Sequence, residues 1–387
     1  MSLPPPPGSF GSVPPNGGGG PSWGGQPQQP GQPYGAPYQG QPGGQWGPPQ
    51  QWAGGPPPNK GGKGKWILIG LALVAVIAVS VVGTVLVLRP DSGGGGGSTP
   101  PAQNGNSEFA SANDTGPVNI ITDDPTCAAW SRVARDYVAQ ADSVKWADRD
   151  GSVPASAWTP AQHAMYQKIS KALDTAADLT SGLMKQTPHR VMRELYGQFI
   201  AYSKGFVETI PTYNGSSNGM TAVISGLVSS ASNICAAIEY KSVQSVSPLV
   251  SVPSPPGDAA TPSSEPRRFL ETENSACGEW ISVTDQYRAD TEAWRGIAAN
   301  IAASEWTTEQ KSIYDGVIPV MRSYADTVER IGRESGNSVF EDISVLSAQY
   351  TRAYILAIPN YAPADNFLSQ TALHLSSTIY SGCEAVK

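Results

Sequence analysis

Residues 158–167, WTPAQHAMYQ, and residues 306–315, WTTEQKSIYD, repeat one pattern. Trp158 falls on Trp306, Thr159 on Thr307, Gln162 on Gln310 and Tyr166 on Tyr314 at a shift of 148 positions. Each stretch opens a helix, because the threonine caps the first turn and the glutamine three positions on reaches back to it, forming a capping box. The shift holds outward without a gap, placing Trp146 on Trp294, Tyr202 on Tyr350, Phe206 on Tyr354, Ile210-Pro211 on Ile358-Pro359, Tyr213 on Tyr361 and Cys235 on Cys383. Toward the N-terminus it becomes 150, matching Cys127 to Cys277, Trp130 to Trp280 and Tyr137 to Tyr287. The first copy therefore carries two extra residues before Trp146, and the chain contains one module in tandem.

Each copy reads as four helices. Asp124-Pro125 looks like a cap followed by proline at the first helical position, and Trp130, Val133, Tyr137, Ala141 and Val144 then recur on one face. The capping boxes open helix two. Thr187-Pro188 is expected to open helix three, which carries Val191, Leu195, Tyr202, Phe206 and Ile210 until Pro211 stops it; its counterpart runs from Ser338 to Pro359. Met220, Val223, Ile224, Leu227, Ala231 and Ile234 mark helix four, mirrored by Leu368, Ala372, Leu375 and Ile379. No stretch alternates with period two over a useful length. The fold class is all-α, as tandem duplicated four-helix bundles.

Short connections favour up-down-up-down packing, which brings the start of helix one to the end of helix four. Cys127 and Cys235 sit there in the first copy, Cys277 and Cys383 in the second, so one bond inside each copy is predicted among the three possible pairings. Each bond closes a loop of more than 100 residues, worth on the order of 4 kcal/mol in the chain-entropy description. At the opposite end the loops should gather Trp146, Trp158 and Tyr213, and again Trp294, Trp306 and Tyr361. Those rings either plug the open end of the core or wall a lipid, glycan or peptide site. They are the candidate binding residues.

Around this duplication the chain changes character. It has 387 residues, and 42 glycines and 35 prolines are concentrated enough to exclude one uniform globular enzyme. Residues 1–65 read as a disordered Pro/Gly/Gln-rich tail, charged only at Lys60, Lys63 and Lys65, that buries too little to repay the entropy of ordering. Its spaced Tyr and Trp, or its proline runs, could also serve as weak ligands for a groove. Residues 66–88 are uncharged and apolar; as a helix they rise about 34 Å and cover a hydrocarbon core of about 30 Å. Three lysines before that span against Arg89 after it put the tail in the cytoplasm and the remainder outside the plasma membrane. Residues 89–123 read as a flexible stalk, 124–240 as bundle copy 1, 241–272 as a Pro/Ser-rich linker and 273–387 as bundle copy 2. Such a linker should leave the copies little shared core.

The formal charge of the whole chain is −7, and no Asp or Glu precedes Asp91. Four cations stand upstream of that residue, so the part from Asp91 onward carries −11, which argues against nucleic acid as a partner. Of the three histidines, His163, His189 and His374, none recurs at the equivalent position of the other copy. HExxH and the glycine-rich phosphate and dinucleotide loops are absent from the sequence. The cysteines are too widely spaced for structural zinc. The sequence therefore points to no catalytic residue, no metal and no cofactor, and to a protein that is not an enzyme.

The tail, MSLPPPPGSF through QPYGAPYQGQPGGQWGPPQQW, followed by lysines and a Val/Ala/Leu-rich span, resembles that of actinobacterial, particularly mycobacterial, single-pass envelope proteins. The resemblance covers about the first 90 residues and implies a plasma-membrane protein facing the cell wall. The expected function is a membrane-anchored extracytoplasmic binding or scaffold protein, for instance an accessory subunit of a secretion, transport or wall-building assembly. Its partners would be the membrane and an envelope protein, lipid or glycan; the oligomeric state stays open. The alternative is a sensor or carrier holding a lipid-like or small ligand in a bundle. A spacious apolar cavity would favour the carrier, and solid cores with exposed apolar surface the scaffold.

Overall fold

The computed structural model describes residues 107–387. The tail, the span at 66–88 and the first part of the stalk lie outside the described residues. Among those described there is no strand, and the helices run α1 (Cys127–Ser143), α2 (Pro160–Gln186), α3 (Arg190–Thr209), α4 (Gly219–Glu239), α5 (Ser242–Val246), α6 (Cys277–Asp290), α7 (Glu292–Arg295), α8 (Thr308–Glu334), α9 (Ser338–Ala357) and α10 (Asn366–Ala385). Helices α2 and α8 have 27 residues each and α3 and α9 have 20 each, with both ends matching under the 148-position shift. In the first copy α1 packs on α2, α2 on α3, α3 on α4 and α4 back on α1; α6, α8, α9 and α10 repeat the ring. The structure is thus two up-down bundles. Cys127 bonds Cys235 and Cys277 bonds Cys383, each with its Cα atoms 5.3 Å apart.

Both capping boxes form. The Thr159 hydroxyl accepts from the Gln162 amide, while the Gln162 side chain accepts from the Thr159 amide; Thr307 and Gln310 do the same. After α3 and α9 a single 3₁₀ turn carries Pro211 and Pro359, which end the helices as expected. Thr159→Ala and Thr307→Ala should each cost about 1 kcal/mol, read as similar falls in denaturant midpoint at unchanged slope. A loss at one position alone would show that the two boxes are not equivalent.

Two helix starts differ from the sequence expectation. Helix α1 begins at Cys127 rather than Pro125, because Asp124 turns inward, accepts from the Thr126 amide at 2.8 Å and takes a hydrogen bond from the Thr187 hydroxyl. Thr187 is occupied by that bond, and α3 starts only at Arg190. The buried Asp124–Thr187 contact ties the entry of α1 to the entry of α3.

The stalk is not free along its whole expected length. From Phe109 the chain docks on the bundles: Phe109, Val118 and Ile121 are buried, the Ala110 amide bonds the Lys185 carbonyl at 2.9 Å, and Arg190 donates to the Asp114 and Gly116 carbonyls. The segment between the copies docks as well. Gln198 of α3 donates to the Arg267 carbonyl (2.9 Å) and accepts from the Phe269 amide (2.8 Å), and Arg333 of α8 donates to the Ser254 carbonyl (2.9 Å). A Pro/Ser-rich stretch with few side chains to bury can still be held through its backbone polar groups, which must find partners once they leave water.

These two leaders cross over. Tyr202 of the first copy donates to the Leu270 carbonyl of the second copy's leader (3.2 Å), whereas its equivalent, Tyr350 of the second copy, donates to the Ile121 carbonyl of the first copy's leader (3.4 Å). The copies also share a helix seam. Gly219 and Gly226 of α4 lie against Ala385 and Thr378 of α10, so closely that a Cβ on Gly226 would stand 2.5 Å from the Thr378 hydroxyl. This register is antiparallel and centres on Val228 and Ser376, which are equivalent positions, so a pseudo-twofold axis passes there. The expectation of little shared core is therefore corrected: α4, α10, α3, α9 and both leaders form one continuous apolar core. Replacing Cys127 and Cys235 should consequently loosen both copies together instead of the first alone.

Candidate functional site

At the end of each bundle opposite its disulfide, the six candidate rings assemble as two matching clusters. Trp158 stacks on Tyr166 with ring centroids 3.9 Å apart, and Trp306 on Tyr314 at 3.7 Å. Backbone acceptors fix four of the six rings, while the Trp294 indole donates to the Tyr354 hydroxyl. The Trp158 indole donates to the Val153 carbonyl and the Trp306 indole to the Ile301 carbonyl; the Tyr213 hydroxyl donates to Gly151 and the Tyr361 hydroxyl to Ala299. The Ala155 and Ala303 amides donate to the Tyr213 and Tyr361 carbonyls, closing the loops over the rings. Trp146, Trp158, Tyr213, Trp294 and Tyr361 are all buried, and Trp306 is partly buried. The rings therefore fill the bundle ends.

The copies differ at this end where the first carries Arg149. Arg149 places its guanidinium 3.5 Å above the Trp146 ring and donates to the Trp146 carbonyl (2.8 Å) and the Thr221 hydroxyl (3.1 Å). Its counterpart in the second copy is Ile297, a buried aliphatic. Burial draws the Arg149 pKa below its ordinary value, with Tyr166 and Tyr213 acting in the opposite direction.

Among the described residues, space for a ligand is small. The two best-formed crevices both lie in the second copy and offer about 10 Å³ each, room for one water. One is lined by Thr284, Arg288, Arg295 and Ser376 among others, and the other by Trp294, Met321, Thr351 and Tyr354 among others. Neither approaches the few hundred Å³ of a small-molecule site. No group of three His, Cys, Asp or Glu side chains among the described residues could hold a metal ion. His163 edges onto Trp158, His189 donates to the Asp123 carbonyl at 2.7 Å, and His374 is buried in α10, where burial lowers its pKa to about 4.

What the sequence reading missed is a charged cluster inside the core. Arg190 of α3 donates through Nε (2.6 Å) and Nη2 (3.2 Å) to the carboxylate of Asp342 on α9. Arg193 donates to Ser111 and to the Ala260 carbonyl, and Glu194, its side chain 4% exposed, lies 3.6 Å from Arg193 and 4.0 Å from Arg190. The signal was present in the sequence: Glu194 and Asp342 are equivalent under the 148-position shift, so both copies carry a carboxylate at the same helical position.

These features define an all-α tandem-repeat protein with disulfide-closed bundles. The chain belongs to the family described as mycobacterial ESX-1 associated protein, which matches residues 109–387 and so begins where the first leader docks. A protein of Mycolicibacterium smegmatis (strain MKD8), described as uncharacterized, is 40% identical over 346 residues, covering 87% of this chain and 90% of its own length. No solved structure matches. The mycobacterial affinity expected from the tail is thus found in the relatives. Among the described residues, one segment, Gly215–Glu239, is long and apolar enough to cross a membrane, but it contains α4 and 67% of its most apolar window is buried. It is a core helix, distinct from the span expected at 66–88.

Proposed function

We propose that this chain is a membrane-anchored, extracytoplasmic, non-enzymatic binding or scaffold protein that serves the ESX-1 secretion system as an accessory component. The observation that carries the reading is the family match over the whole helical region, which names an association with ESX-1. The geometry supports binding through the outer surface: the bundle interiors are filled, and the best crevices hold about 10 Å³. That weighs against the carrier alternative. Large apolar side chains stand exposed at Leu179 on α2, at Leu249 and Val252 after α5, and at Leu356 on α9, the helix that the turn carrying Leu249 packs against.

Two experiments test the parts of this reading. Protease added to intact spheroplasts should digest the region after Arg89 and spare the tail; protection of the bundles would overturn the topology. Removing residues 107–387 while leaving the remainder in place should lower export of ESX-1 substrates without lowering their cellular level. Unchanged export would overturn the accessory role.

A further inference from the structure

Glu194 and Asp342 occupy equivalent positions of the two copies and both face Arg190 Nε, Glu194 at 4.0 Å and Asp342 at 2.6 Å, so they flank the pseudo-twofold axis. Both side chains are buried, at 4% and 0% exposure. Asp342 is satisfied by the Arg190 fork. Glu194 is not: neither of its carboxyl oxygens accepts a hydrogen bond from any donor, although Arg193 Nη2 lies 3.6 Å away and Arg190 Nε 4.0 Å away. Both arginines spend their donors elsewhere, Arg190 on Asp342, Asp114 and Gly116 and Arg193 on Ser111 and Ala260. A buried carboxylate with no donor is costly, whereas a buried carboxylic acid beside a carboxylate has an acceptor for its own proton.

The charged groups facing the pair lead to the same assignment. Arg190 and Arg193 come from α3, Asp114 from the first leader, and Glu341 from α9, itself paired with Arg333 of α8. The two arginines are balanced by Asp342 and Asp114, which leaves Glu194 as a surplus negative charge if it ionises. We infer that Glu194 and Asp342 share one proton across the pseudo-twofold axis, so that the junction between the two bundles is a proton-binding site and tightens as the surrounding medium acidifies. Burial first, and then the neighbouring Asp342 charge, hold the Glu194 carboxyl well above the usual carboxylate range. A carboxyl raised in the folded state binds more protons folded than unfolded. Its contribution is therefore fully present below the ordinary glutamate value and is lost as pH rises toward the folded value.

The test is urea unfolding of the full chain in detergent from about pH 5 to pH 8, comparing wild type with Glu194→Gln, which keeps the shape and donor of the protonated acid. The wild-type unfolding constant should rise relative to the variant by up to about tenfold per pH unit until Glu194 ionises, the variant being the more stable at the alkaline end. His374 contributes an opposite slope below its ordinary range in both proteins and cancels in the comparison. Parallel profiles would overturn the inference. Should the variant fail to fold, the wild-type infrared spectrum decides instead: a buried carboxylic-acid C=O stretch at about pH 6.5, where exposed carboxyls are ionised, supports the shared proton, and its absence refutes it.

Discussion

A fragment comprising residues 107–249, the first copy with its leader, should not fold as a stable monomer. Cutting there strips α10 from α4, leaves Gly219 and Gly226 facing water, and removes Asp342 from the buried Arg190. Removing one partner of a buried ion pair alone costs about 3–5 kcal/mol, comparable to the lower end of a domain's whole stability of about 5–15 kcal/mol. The lost leader adds to this, since Leu270 and Phe269 no longer cover Tyr202 and α3. Size-exclusion chromatography and thermal melts of each half, alone and mixed, provide the check. The halves should aggregate or self-associate separately and recover a cooperative melt together. A monomeric half melting near the intact protein would show that the seam is incidental.

Trp146→Ala and Trp158→Ala should each destabilise the protein by about 3–5 kcal/mol through lost burial and the cavity left behind. Trp146 is 1% exposed, edges onto Tyr166 at 4.9 Å and supports Arg149, so its removal also leaves a half-buried guanidinium without its ring. For a unit of this size the melting temperature should fall by on the order of 10 °C. The result bears on function as much as on stability. An unchanged melting temperature, together with lost partner binding, would turn the aromatic end back into a binding site.

Much of this architecture could be read from spacing. Two copies of one module disclose each other's boundaries: the Thr159 and Thr307 boxes, the Pro211 and Pro359 stops and the cysteine pairs are local features that repeat, and local features survive in a sequence. The placement of Trp146, Trp158 and Tyr213 at one end followed from topology alone. What spacing could not reveal is how the copies meet. The α4–α10 seam depends on glycines whose value lies in what approaches them, and Gly226 carries no sign that Thr378 will be its neighbour. The leaders misled for a related reason. Composition predicts whether a segment can bury side chains, but residues 250–268 are tied down at the Ser254, Ala260 and Arg267 carbonyls, groups that every sequence possesses. Glu194 and Asp342 were legible as an equivalent pair, yet only the dyad shows that both converge on Arg190.

Crosslinking in living cells tests the proposal that the helical region serves the ESX-1 machinery from outside the membrane. With an affinity tag after Lys387 and a membrane-impermeant crosslinker applied to intact mycobacteria, components of that secretion system should co-purify with the wild-type chain. They should be lost when residues 107–387 are deleted and the tag is moved to the remaining outer stub. Recovery of the wild-type chain without any such component, from cells in which the machinery itself is crosslinked, would contradict the account.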